Sequence, residues 1–279
     1  MSMIDAPKAK PRLGWFIHDS LAVTSRFMLT FLRVPETLFF AIVQPIMFIV
    51  LFAYVFGGSI NVGEGGAAVY REFLIPGIFA QTVSFAVAGI TIGIAEDSQK
   101  GIMDRFHSLP MRPGAVLAGR TVAELVQNAA VLVAMAITGL IVGWRIRGSF
   151  IDAVAGFGLL LLFAYALTWV GALIGLSVPN PQVAGTAGLI WIFPLTFASS
   201  AFTPTSAMPA WLETFAVWNP VSCLALSARQ LFGNPTPFVG TSFPEQHPVL
   251  LSFAWAIGII VVFGPLAVRK YRRTSGAKK

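Results

Sequence analysis

The sequence predicts an all-α integral membrane protein with six transmembrane helices, and three observations carry that prediction. Hydrophobic residues make up 56% of the chain and charged residues only 11%, against about 25% charged in a soluble domain. Six apolar runs have the length of roughly 20 residues that crosses a hydrocarbon core of about 30 Å. The basic residues that give the net charge of +7 sit at the ends of those runs, where a membrane surface explains them better than a nucleic acid does.

The runs extend from Leu38 to Phe56, Phe73 to Ala95, Ala115 to Trp144, Ile151 to Val178, Val183 to Phe202 and Val249 to Val268. With a cytoplasmic N-terminus, only Arg71, Arg145, Arg147 and Arg229 of the 19 Lys and Arg residues fall on the outer side. That asymmetry orients the chain with both termini in the cytoplasm. Residues 1–36 then form a cytoplasmic N-terminus, 37–268 the six-helix transmembrane domain, and 269–279 a basic cytoplasmic tail. The polar start is not followed by a short apolar stretch with a cleavage site, so no cleaved signal peptide is expected.

Ahead of the first run, Leu13, Phe16, Ile17, Leu21, Thr24, Met28 and Phe31 recur at helical spacing, with Arg12, Asp19 and Arg26 on the other face. This pattern predicts an amphipathic helix lying along the inner interface, and Pro35 marks the break before the first span. A glycine-rich stretch, Gly57 to Gly66, reads as an external loop. It does not match a phosphate-binding loop, and no Lys directly follows a Gly anywhere in the chain. The backbone cradle and lysine that grip nucleotide phosphates are therefore missing, and any ATP must be handled by another chain.

The segment from Glu96 to Arg112 is abruptly charged between two apolar runs. Within it Ile102, Met103, Phe106 and Leu109 share one helical face, Asp97, Lys100, Asp104 and Arg105 share another, and Pro110 stops the helix. A short amphipathic helix with charged flanks suits docking into a partner's groove, although a solvated loop that merely obeys the charge asymmetry would have similar composition. Residues 203–248 carry Pro204, Pro209, Pro220, Pro235, Pro237, Pro244 and Pro248. Two short helices around Asn219 and Pro220, dipping into the outer leaflet as an external re-entrant segment, are one reading, and a surface loop with one interfacial helix is the other.

Chemistry-bearing residues are sparse. Glu124 is an ionisable group inside an apolar run, which makes it a functional candidate. Its position one turn after Arg120, with Gln127 and Asn128 nearby, favours a structural ion pair. His18, His107 and His247 are scattered without metal-site spacing, and the single cysteine, Cys223, excludes an intrachain disulfide. No catalytic or metal residues are assigned, and a membrane-embedded enzyme, which needs such groups gathered on one cavity, is disfavoured.

Three stretches carry a resemblance. Tyr70 to Thr82 (YREFLIPGIFAQT), Lys100 to Arg120 (KGIMDRFHSLPMRPGAVLAGR) and Met208 to Leu212 with Asn219 and Pro220 (MPAWL, NP) resemble the type-2 family of ABC permeases. Within it, the chain is similar to the daunorubicin-resistance type of drug-export permease. The Gly101, Arg105, Leu109, Pro110 pattern is the more specific part. The resemblance implies a bacterial cytoplasmic-membrane exporter of two permeases, like or unlike, and two cytoplasmic ATPase subunits that hold ATP and Mg. It implies that Glu96, Asp97, Gly101, Arg105, Phe106, Leu109, Pro110 and Arg112 belong to a coupling helix. Spans two and five would line the path, so that Gln81, Ser84, Phe85, Trp191, Phe197, Ser199 and Ser200 become candidates for contacting cargo. An apolar path with few charges fits an amphipathic drug or lipid, and polysaccharide or glycolipid export stays open. The rival from another class is an ion-coupled secondary transporter, which would want buried carboxylates near the midplane and an inverted repeat.

Overall fold

The computed structural model describes residues 13–33, 35–56, 66–108, 113–236 and 240–276. The glycine-rich connection after Phe56, the basic first dozen residues, and Leu109, Pro110 and Arg112 lie outside them. Among the described residues every regular element is helical: α1 (Leu13–Arg33), α2 (Pro35–Leu51, continued by a π-helical turn Phe52–Phe56), α3 (Gly66–Gln99), α4 (Ile102–Ser108), α5 (Pro113–Val142), α6 (Phe150–Gly175), α7 (Pro181–Phe197), α8 (Ala210–Trp218), α9 (Pro220–Phe232), α10 (Phe243–Gln246) and α11 (Pro248–Gly276).

Local chemistry sets the ends of these helices. Ser149 Oγ accepts a hydrogen bond from the Asp152 amide at 3.2 Å and caps α6. Asn180 Oδ1 accepts from the Val183 amide at 2.9 Å, with Pro181 pre-set for the first turn of α7. Asn219 Oδ1 accepts from the Val221 amide at 2.9 Å and caps α9, again with a proline next. Gly233 ends α9 in the left-handed region at φ 68°, which a residue without Cβ enters without strain. Gly101 does the same at the corner between α3 and α4, at φ 66°.

Among the described residues, four helices are long and apolar enough to cross a membrane: Gly66–Gln99, Gly114–Val142, Phe150–Gly175 and Pro248–Arg273. Of the other two expected spans, the first runs as one helical stretch from Pro35 to Phe56, through Pro45 and the π-helical turn, and α7 is shorter than expected, with 17 residues, about 25 Å at the helical rise.

α3 is the hub. It packs against α6, α7, α9 and α5, and α11 closes against α6 and α9. One apolar core joins Phe73, Phe79, Trp144, Phe163, Leu167 and Phe232. A second, towards the other end of the bundle, joins Val23 and Phe27 of α1, Ile90 and Ile94 of α3, Met103 and Phe106 of α4, Val116 and Leu117 of α5, Trp169 of α6, and Ala267 and Tyr271 of α11. The interface helix is thus tied to the bundle and does not lie loose beside it. Its contact face is Val23 and Phe27, with Thr24 Oγ1 donating to the Gly119 carbonyl at 3.0 Å. Ile17 and Leu21 of the expected apolar stripe are more than half exposed, the orientation that suits a lipid-facing surface.

At the opposite end a polar network locks the connections. Arg229, 1% exposed, donates from Nε to the Phe73 carbonyl at 2.7 Å and from Nη2 to the Ser200 and Ala201 carbonyls at 2.7 and 3.0 Å. Its guanidinium lies 3.6 Å from the centre of the Phe73 ring. Trp144 Nε1 donates to Asn234 Oδ1 at 2.8 Å, and Asn234 Nδ2 to the Arg145 carbonyl at 2.8 Å. Arg147 forms a forked pair with Glu72, and those hydrogen bonds hold the Arg147 guanidinium above its ordinary range. The Asn219 and Pro220 pair sits between α8 and α9, where Asn219 Nδ2 also donates to the Leu195 and Ala198 carbonyls. The end of α7 is thereby pinned to the start of α9, which gives the short helices a fixed position.

Candidate functional site

The feature most suited to holding a small molecule is a cavity of about 430 Å³ between α2, α3, α5 and α7, within the usual range for organic ligands. Its polar wall consists of Gln44, Gln81, Glu124, Gln127 and Asn128, and its apolar wall includes Phe48, Phe85, Phe193 and Phe197. The rings form a continuous aromatic face: Phe85 and Phe193 are 5.6 Å apart between centroids, and Phe193 and Phe197 stack at 4.7 Å. Such a surface takes flat apolar bodies, and the amides opposite supply donors and acceptors.

Of the residues expected along a path, Gln81, Phe85 and Phe197 meet at this cavity. The structure places the others elsewhere. Ser84 is fully buried and its hydroxyl donates to the Ala80 carbonyl at 2.7 Å. Trp191 lines a separate apolar groove of about 640 Å³ between α6, α7, α8, α9 and α11, beside Trp218 and Trp255. Ser199 donates to the Thr196 carbonyl at 2.6 Å, and the Ser200 amide donates to Ser222 Oγ at 2.9 Å, so both knit the chain after α7. Gln44, Phe48, Gln127 and Phe193 were not singled out in the sequence as path residues, although the amides of Gln44 and Gln127 inside apolar runs were a visible signal.

Glu124 differs from its sequence-based expectation. Arg120 reaches across to Asp97 of α3, 3.8 Å away, and its guanidinium lies 4.1 Å from the centre of the Phe27 ring. The expected helical pair with Glu124 gives way because the carboxylate faces the cavity while the arginine points into the α1 and α3 contact. Asn128 does share hydrogen bonds with this turn, its Nδ2 donating to the Glu124 backbone carbonyl at 2.9 Å.

The expected coupling residues divide by role. Glu96 pairs with Lys100 at 3.0 Å on the surface, Asp97 is the inward tie to Arg120, and Gly101 makes the corner into α4. Phe106 is 7% exposed and packs in the cluster shared with α1, with the Arg26 guanidinium 5.1 Å from its ring centre. Arg105 is on the exposed side.

A helical bundle with several membrane-length helices, closed at one end by α1 and α4 and opened between α2, α3, α5 and α7, defines a multi-pass membrane protein. Residues 19–232 match the family model of the ABC-2 type transporter, and the chain belongs to that family as an ABC transporter permease. It is 28% identical over 263 residues to a daunorubicin resistance ABC transporter permease protein of Streptomyces coeruleorubidus, covering 94% of this chain and 89% of that one. It is also 28% identical over 226 residues to a doxorubicin resistance ABC transporter permease protein of Mycobacterium tuberculosis, covering 78% of this chain and 76% of that one.

Proposed function

We propose that the chain is the membrane-spanning subunit of an ATP-driven exporter that moves an amphipathic, drug-like or lipid-like cargo outward across a bacterial cytoplasmic membrane. The observation that carries this reading is the cavity whose one wall is aromatic and whose other is amide-rich, a combination that receives molecules with an apolar body and a polar group. ATP and Mg belong to a separate cytoplasmic ATPase subunit, and a second permease, identical or related, completes the assembly. Six spans put both termini in the cytoplasm, with α7 as the short one.

In this scheme ATPase closure is felt first by α4 and α1. They share one apolar cluster with α3, α5, α6 and α11, so a displacement at the interface reaches the helices that wall the cavity, and the site alternates between inward and outward access. Co-purification from native membranes in mild detergent tests the assembly. A nucleotide-binding subunit should follow the chain at near-equal ratio, and inside-out vesicles should accumulate cargo only with ATP. Gradient-driven uptake by this chain alone in proteoliposomes would instead establish an ion-coupled carrier, a reading that Glu124 in the cavity keeps in play.

A further inference from the structure

We infer that the cavity selects organic cations with aromatic or otherwise apolar bodies, and that Glu124 is the residue that recognises their charge. The inference rests on the permease reading above and narrows its cargo class. Three buried carboxylates occur among the described long helices, and two have cations: Glu72 pairs with Arg147, and Asp97 with Arg120. Glu124 has no Lys, Arg or His within salt-bridge distance among the described residues. Among the described residues no Lys, Arg or His lines its cavity, and Glu124 is the one charged side chain on that wall.

The surroundings of Glu124 point the same way. Asn128 donates from Nδ2 to the Glu124 backbone carbonyl and lines the same cavity, a neutral amide that places no positive charge beside the carboxylate. Pro45 has no N–H, so the Ala41 carbonyl four residues earlier lacks its helical donor, and both residues line the cavity. The Phe85, Phe193 and Phe197 rings supply quadrupoles that favour a cation over an anion. Gly89 of α3 lines the cavity, and a Cβ built there would come within 3.0 Å of Glu124 Oε1, so the absent side chain lets the carboxylate lie close against α3 at the cavity wall.

Tetraphenylphosphonium and tetraphenylborate have nearly the same shape and opposite charge, which makes them suitable probes. The full-length chain in lipid nanodiscs, with empty nanodiscs subtracted, should bind the cation saturably and the borate weakly or not at all. Glu124→Gln should weaken cation binding by at least about tenfold and remove the discrimination, and Glu124→Asp should recover part of it. Equal binding of both ions by the unaltered chain would overturn the proposal without recourse to any variant. So would a properly folded Glu124→Gln chain that keeps full cation affinity. The binding readout needs no ATPase: charge selectivity without ATP-driven transport would leave this proposal standing and remove the exporter reading. ATP-driven transport that ignores cargo charge and Glu124 would do the reverse.

Discussion

Arg229 shows how one buried side chain can hold several irregular segments of a membrane protein. Its donors serve carbonyls on α3 and on the connection after α7, while its plane stacks on Phe73. Each interior carbonyl left without a donor costs about 1–3 kcal/mol. Arg229→Ala should therefore lower stability by on the order of 3 kcal/mol or more, seen as a drop of several degrees in the melting temperature of detergent-solubilised protein. Arg229→Lys should recover only a minority of the loss, because an ammonium lacks the planar fork and the stacking face. An alanine variant that melts with the parent would show that the network is incidental. The tie between Trp144 and Asn234 is of the same kind, joining the end of α5 to the chain after α9. Neither network could be read from the sequence, since Arg229 lies 156 positions from Phe73 and only the fold brings them together. The helix caps could: Asn180–Pro181 and Asn219–Pro220 carry their signal within two residues.

At the scale of the element, α4 is the instructive case. Its amphipathic pattern gave the helix, but a pattern does not say which apolar groove receives the ridge. The structure turns Met103 and Phe106 into the cluster with α1, so the ridge joins this chain's own interface helix to its bundle. Two substitutions then separate folding from coupling. Phe106→Asp puts a charge among buried apolar groups at a cost of several kcal/mol and should loosen α4 and α1 together, lowering thermal stability as well as ATPase association. Arg105→Glu changes the exposed side and should lower the melting temperature far less than Phe106→Asp while reducing association with the ATPase and its stimulation. Pull-down of the ATPase subunit beside a thermal scan checks both. An Arg105→Glu chain that binds and stimulates normally would take the exposed side of α4 out of the coupling surface. Gln81, Phe85 and Phe197 came from spans two and five, which the family resemblance implied as the path, while α2 and α5, which supply the rest of the cavity, were passed over. Hydropathy finds helices, whereas the neighbours of each face are decided by packing.

For the whole molecule, the helical class and the approximate position of each apolar segment were legible because a bilayer imposes length and composition on any helix that crosses it, while the family was legible only through the resemblance of stretches such as Tyr70 to Thr82 and Lys100 to Arg120. The number of crossings turns on α7, which at about 25 Å falls short of a core of about 30 Å. Short helices can still span where the bilayer thins or neighbouring helices support them, at a cost of fractions of a kcal/mol per Å, and α7 has that support from α3. The chain suits a direct test because its single cysteine, Cys223, is 2% exposed and should stay silent towards a polar maleimide. Ser177, between α6 and α7, and Thr241, just before α10, are both exposed. Cysteines placed at these two positions, one per variant, should label oppositely in intact cells. Thr241→Cys should react with a membrane-impermeant maleimide at once, and Ser177→Cys only after permeabilisation. Labelling of both from outside, or of neither, would mean that α7 does not cross, leaving an odd number of spans and the termini on opposite sides. Labelling of Ser177→Cys alone would keep six crossings and invert the whole molecule, putting α1 and α4 on the face where no ATP is available.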